Sequence, residues 1–156
     1  MSAEMSREVA IAAVRRQAED LAREAAALPA ERHSWIAGGV ARTPIQIVAH
    51  CGTMCRFFAA VVTGEPLPYR GQDEHDAAIA ACTTMEDALD LLNRSSALLI
   101  DAYAALPASR FDETMVMPWG ERVPVPLGLL APAFHMRYHE GQICFIQTIL
   151  GDDEFH

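Results

Sequence analysis

TPIQIVAHCGTMCRFFAAVVTG, residues Thr43 to Gly64, carries its own start and stop signals. Thr43 offers a hydroxyl to cap a helix, Pro44 suits the first helical position, and Gln46 stands where a capping box needs its amide. Gly64 marks the stop. The spacing predicts a helix from Pro44 to about Val62. In its middle is His50, among Ile47, Val48, Met54, Phe57 and Phe58. A histidine on such a face is costly to bury unless something satisfies its ring nitrogens.

Working outward, the preceding segment from Met5 to Leu28 is rich in alanine, arginine and glutamate and stops at Pro29, which predicts a first long helix. The connector ERHSWIAGGVAR joins the two. Downstream, PLPYRGQ leads to a short polar helix over Gln72 to Ala81, neither of which reads as a core element. Thr84 and Asp87 form a second cap signal. Leu89, Leu92, Ser96, Leu99, Tyr103 and Leu106 then recur at helical spacing until Pro107. The stretch TMVMPWGERVPVP predicts an irregular loop or short hairpin between Phe111 and Val125, with a turn at Trp119-Gly120. A last helix is predicted from near Pro126 to Leu150, closed by Gly151; Pro132 inside it means either a kink or a later start. Four long helices with short to medium connectors describe an all-α four-helix bundle, and with no repeat or boundary visible, residues 1–156 read as one domain.

Composition narrows the function. A chain of 156 residues that is 51% hydrophobic has enough apolar material for a core. Twenty-one acidic residues against twelve basic ones give a formal charge of -9, so a phosphate-backbone partner has nothing to neutralise it. All basic residues are arginine, which excludes Schiff-base lysine and P-loop chemistry. The apolar run Val123 to Phe134 is too short to span a bilayer, and MSAEMSREVA resembles no export signal; the expectation is a soluble, cytoplasmic protein. Cys51, Cys55, Cys82 and Cys144 then read as reduced thiols, the first two as buried small hydrophobes rather than metal ligands.

The second informative stretch is HMRYHEGQI, His135 to Ile143. Residues four apart on a helix lie on one face, so His135 and His139 can reach one metal ion. Phe134 and Ile143 flank that face and Ile146 continues it, which predicts that it points inward. A third ligand has to come from another helix, and His50 is the candidate. Three neutral imidazoles suit Zn, Ni or Fe(II) and leave a coordination position open. His33, His75 and His156 read as solvated or locally bonded. Gln142 either hydrogen-bonds a ligand histidine or substrate, or is a buried polar group bonded to backbone; Gln46 is explained by its cap. Glu140 points about 100° away from His139 and reads as surface. Tyr103 reads as packing, and Tyr138 is a candidate proton donor. No general base is identifiable.

TPIQIVAHCG followed far downstream by HMRYHEGQICFIQTILGD resembles the DinB-like family, which includes the YfiT-like proteins and is regarded as a family of metalloenzymes. The resemblance implies an up-down-down-up bundle with a long crossover between the second and third helices. It implies one divalent metal on His50, His135 and His139. Relatives that move low-molecular-weight thiols such as bacillithiol or mycothiol, or isomerise substrates with their help, imply a small-molecule, thiol-type substrate, and homodimers are common among them. Two functions are compatible. One is an enzyme activating a thiol or water at the metal, transferase-like or hydrolase-like; the other is a non-enzymatic metal- or small-molecule-binding bundle with a stress-related or structural role. The connector Glu65 to Thr83 and the loop with Met117 and Trp119 are expected to rim the pocket. A third possibility is that no metal binds and the histidines satisfy one another.

Overall fold

A computed structural model describes residues 2–154 and 156. Along the chain come α1 (Ala3–Ala27), α2 (Pro44–Thr63), α3 (Gln72–Ala80), α4 (Met85–Ala105), β1 (Thr114–Val116), β2 (Arg122–Pro124), α5 (Val125–Gly128) and α6 (Ala131–Ile149). The protein is mostly helical. Short 3-10 turns follow α1 and α4.

The helix ends are set by local chemistry. At α2 the Thr43 hydroxyl accepts from Gln46 N while the Gln46 side chain accepts from Thr43 N, and Gly64, at φ 76°, ends the helix in the left-handed region. Thr84 and Asp87 repeat the reciprocal arrangement at α4. Of the two alternatives left by Pro132, the chain takes the later start: α5 is a single turn, and α6 begins anew with Pro132 in its first turn, where the missing N–H costs nothing. The loop before it is a hairpin, with Met115 opposite Val123 and Gly120 at φ 88° in the turn.

Packing joins the four long helices into a ring. α1 contacts α4 and α6, α2 contacts the same two, and α1 and α2 meet only slightly. α1 presents Ala10, Val14, Ala18, Leu21 and Ala25 inward at intervals of three and four residues. The α2–α4 seam is tightest at Gly52, where an added Cβ would lie 3.0 Å from Leu92 N and 2.9 Å from Leu91 Cγ. Among the described residues, α2 is the one helix with the length and composition of a membrane span, with mean hydropathy 1.5. Since 61% of that window is buried inside the protein, its apolarity is accounted for by the core.

Two expectations need correction. The segment from Gln72 contributes to the core after all, because α3 folds back on α2 and buries Ile79. Glu140 is buried, not on the surface: α1 covers the flank of α6 on which it lies, and its carboxylate accepts from Gln17 on α1 and from Arg137 Nη1 at 2.7 Å. Two turns further on, Gln147 Nε2 donates to the Glu24 carbonyl at 3.0 Å and to its carboxylate at 3.2 Å. These buried polar contacts fix the register of α1 against α6.

Two glycines of the long helices, Gly52 in α2 and Gly141 on the exposed side of α6, predict opposite responses. Gly52→Ala presses on the α4 backbone and is expected to lower stability by about 1–3 kcal/mol. At Gly141 an added Cβ meets nothing within 4 Å, so Gly141→Ala gains helix propensity and is expected to raise stability by about 0.5–1 kcal/mol. Urea unfolding of both variants checks the seam; equal effects would contradict it.

Candidate metal centre

α2 and α6 meet through three imidazoles. His50 comes from the middle of α2, and His135 and His139 from successive turns of α6. One ligand atom from each lies within 4.8 Å of the others, and the ring centroids are separated by 4.5 to 4.9 Å. His135 Nε2 is 3.1 Å from His50 Nε2. Two nitrogens each bonded at about 2.1 Å to one ion subtend roughly 3.0–3.4 Å, so the pair is spaced as a shared cation requires.

The protonation states fit as well. Burial drives the His50 pKa down to about 2, helped by the charges of His135 and Arg42, and it drives His135 down to about 4 with help from His139. His139 is also lowered by burial. The rings are neutral at pH 7, which is the ligand form. His139 Nδ1 lies 2.7 Å from Gln142 Oε1, an acceptor, so Nδ1 holds the proton and Nε2 holds the lone pair. The rings satisfy one another only in part: in the absence of a cation the Nε2 atoms of His50 and His135 can share one proton, but their buried Nδ1 atoms have no hydrogen-bond partner among the described residues. The donor set suits a borderline divalent cation.

A family model described as the DinB superfamily matches residues 12–143. The chain belongs to the DinB superfamily. Among solved structures, a mycothiol-dependent maleylpyruvate isomerase is similar at a TM-score of 0.70 and 17% identity, over 88% of this chain and 60% of that one. A histidine-to-alanine mutant of a mycothiol-dependent maleylpyruvate isomerase is similar at 0.70 and 16%, with the same coverage. The chain thus spans three-fifths of the length of these structures, and at such identity the likeness is one of fold. No curated protein matches the sequence.

Within this DinB fold the remaining candidates separate clearly. Cys51 and Cys55 are buried thiols with pKa values pushed up, Cys55 to about 12, and Cys55 Sγ rests 3.9 Å from Met136 Sδ; neither joins the histidines. Tyr103 is core, its hydroxyl donating to the Leu129 carbonyl at 2.8 Å. Tyr138 is exposed, its ring 5.0 Å from that of His139. Phe134 does not flank an inward face: it is 63% exposed, whereas Ile143 and Ile146 are buried. His33 bonds locally to the Leu28 carbonyl and His156 to Asp152.

His75 is the residue the sequence reading misplaced. Thr53 Oγ1 donates its one proton to the His50 carbonyl at 2.8 Å, and therefore accepts from His75 Nε2–H at 2.8 Å. The His75 ring lies 5.3 Å from His50 and 5.2 Å from Tyr69. A signal was available: His75 is one turn before Ile79, the buried residue of α3, and so shares its face.

One cavity opens on the centre through His135, and a second borders it through Gln142, the side chain bonded to His139. The first, of about 500 Å³, is lined by Met54, Phe58, Met117, Trp119, Phe134 and His135. The second, of about 710 Å³, includes Arg42, Ile47, Gln142 and Phe145, and Tyr138 borders both. The hairpin thus reaches the site. The connector after α2 reaches it through Tyr69, Gln72 and His75, which line a smaller hollow of about 360 Å³.

The depressed histidine pKa values carry a pH consequence for the metal-free protein. In the unfolded chain these rings titrate near 6.5; in the folded one His50 and His135 are held well below it and His139 is lowered. Between pH 6.5 and about 4 the unfolded state binds more protons, so stability is full above that window and falls as the pH drops through it. Urea midpoints measured across this range are expected to fall less steeply for His135→Gln, which removes one titrating ring. An unchanged slope would refute neutral burial of His135.

Proposed function

We propose that this DinB-superfamily chain is a metal-dependent enzyme domain acting with a low-molecular-weight thiol, in which His50, His135 and His139 hold one divalent cation, Zn, Ni or Fe(II). The observation that carries the reading is the convergence of three neutral imidazoles beside a cavity lined by His135, with no fourth protein ligand grouped with them among the described residues. A structural zinc site would be closed, often by cysteines. The isomerases of similar fold are described as mycothiol-dependent, which supports thiol over water as the activated group. When bound, the cation supplies a lowered pKa for a thiol or water.

The chain's own residues do the rest. Gln142 orients His139 by accepting from Nδ1, and Thr53 ties His75 to the α2 backbone beside His50. Met54, Phe58, Met117 and Trp119 make a largely apolar wall that keeps water from one side and accepts the non-reacting part of a substrate. A second cavity joined to the centre through Gln142 leaves room for a second molecule. The diagonal placement of α1 and α2, with a long crossover carrying α3, supports the up-down-down-up helix order.

A non-enzymatic metal-binding bundle is the second reading. It is favoured by one feature: among the described residues no carboxylate joins the three histidines, leaving no evident general base. It predicts metal uptake without turnover.

Elemental analysis of untagged protein is expected to give about one equivalent of metal per chain, lost in His50→Ala and His139→Ala. Loaded protein is then expected to consume an electrophile faster with a low-molecular-weight thiol present than without it. Protein that cannot be loaded overturns the reading; loaded protein that is inert with every thiol leaves the binding bundle.

A further inference from the structure

The cavity of about 710 Å³ differs in kind from its neighbour. Its walls include Val40, Ile47, Phe145 and Ile146, and its polar side chains are Arg42, Gln142 and Tyr138. In a chain with 21 acidic residues, not one Asp or Glu lines it. Arg42 has no ion-pair partner among the described residues. Gln142 has one lone pair of its only acceptor engaged by His139, and its amide nitrogen keeps two N–H donors for the cavity. The polar lining is therefore rich in donors, with the Tyr138 hydroxyl and the second lone pair of Gln142 Oε1 as its side-chain acceptors.

The adjacent start of α2 adds nothing to this donor set. Thr43 N donates to Gln46 Oε1, Gln46 N to Thr43 Oγ1, Ile45 N to the His33 carbonyl and Ile47 N to the Thr43 carbonyl. Without free helix N–H groups, one guanidinium and one amide match a two-oxygen monoanion better than a phosphate, which draws on several donors at once. The apolar walls call for an apolar body behind that anion. Gln142 joins this cavity to the centre, since the side chain that lines it accepts from His139 Nδ1 at 2.7 Å.

We propose that this cavity is the site for an organic carboxylate with an apolar body, held by the Arg42 guanidinium and the Gln142 amide, and that it presents this molecule to the histidine centre. The assignment of a second substrate rests on the metal-centre reading; the carboxylate site itself does not. The thiol side is the opposite cavity, with Trp119 and Met117, and Tyr138 stands between the two.

The test is calorimetric titration with hexanoate and with its neutral analogue hexanamide, on metal-free and on zinc-loaded protein, with zinc uptake measured separately. Hexanoate is expected to bind wild type about tenfold tighter than hexanamide, and Arg42→Gln is expected to abolish that preference while leaving hexanamide within about twofold. Arg42→Lys restores part of it. Gly141 lines the same cavity, and a side chain there enters open space, so Gly141→Leu is expected to weaken both ligands in a folded protein. Hexanoate affinity independent of Arg42, or no hexanoate binding at all, overturns the proposal. So does binding that requires zinc and ignores Arg42, since the ion alone would then hold the carboxylate. Inorganic phosphate displacing hexanoate at equal concentration would make the site a general anion site and overturn the carboxylate assignment. Failure of the metal reading is separate: it appears as absent zinc uptake, whatever hexanoate does.

Discussion

An imidazole taken out of water loses the hydration of two ring nitrogens, and everything around the centre follows from placing three such rings between α2 and α6. They are kept neutral by burial, and only His139 has a protein side chain outside the cluster on its second nitrogen. Rotating α6 so that His135 and His139 face α2 leaves little freedom for its other residues. At about 100° per residue, Phe134, Tyr138 and Phe145 are sent to the exposed flank, where they become cavity walls. The binding surfaces are thus a geometric consequence of the metal-ligand pair.

The opposite flank of α6 is held by a different device. Gln17 and Arg137 serve Glu140, while Gln147 serves Glu24, so α1 and α6 meet through buried polar contacts that are satisfied only in one register. Whether such contacts add net stability is secondary; a shifted register would leave buried carboxylates unpaired, at a cost of several kcal/mol. α2 and α4, by contrast, close against each other at Gly52, where the α4 backbone and the Leu91 side chain fill the space a Cβ would need. One seam is thus rigid through close packing and the other through pairing, and the centre sits where α6, held by the second, meets α2, held by the first.

Much of this was legible in the sequence where the determinants are local. The Thr43 and Thr84 caps, Gly64 and Gly151 are decided within four residues of chain, and the four-residue spacing of His135 and His139 is a property of any helix. Pro132 shows the limit: a kink and a late start satisfy the same local rule, and the chain took the late start where α5 packs against the hairpin, with Gly128 under Met115. Glu140 was misread because 100° from His139 means solvent only if no helix is there, and α1 is there. His75 was misread because its polar neighbours in sequence occupy the other faces of α3, while its own face turns to Thr53 of α2. Arg42 carried no signal at all, since a loop residue acquires meaning only from the cavity it lines.

The net charge of -9 argues against nucleic acid but not against every anionic ligand, because the two cases differ in range. A nucleic acid samples the field of a whole face, and its binding scales with the number of phosphates neutralised. A small carboxylate samples a volume smaller than the screening length, about 8 Å at physiological ionic strength, so distant carboxylates contribute little once it has entered. Inside a concave wall of low polarizability the nearest charge dominates, and there that charge is Arg42, with no acidic side chain lining the hollow. An acidic protein can therefore repel polyanions at its surface and still hold a single carboxylate beside its histidines.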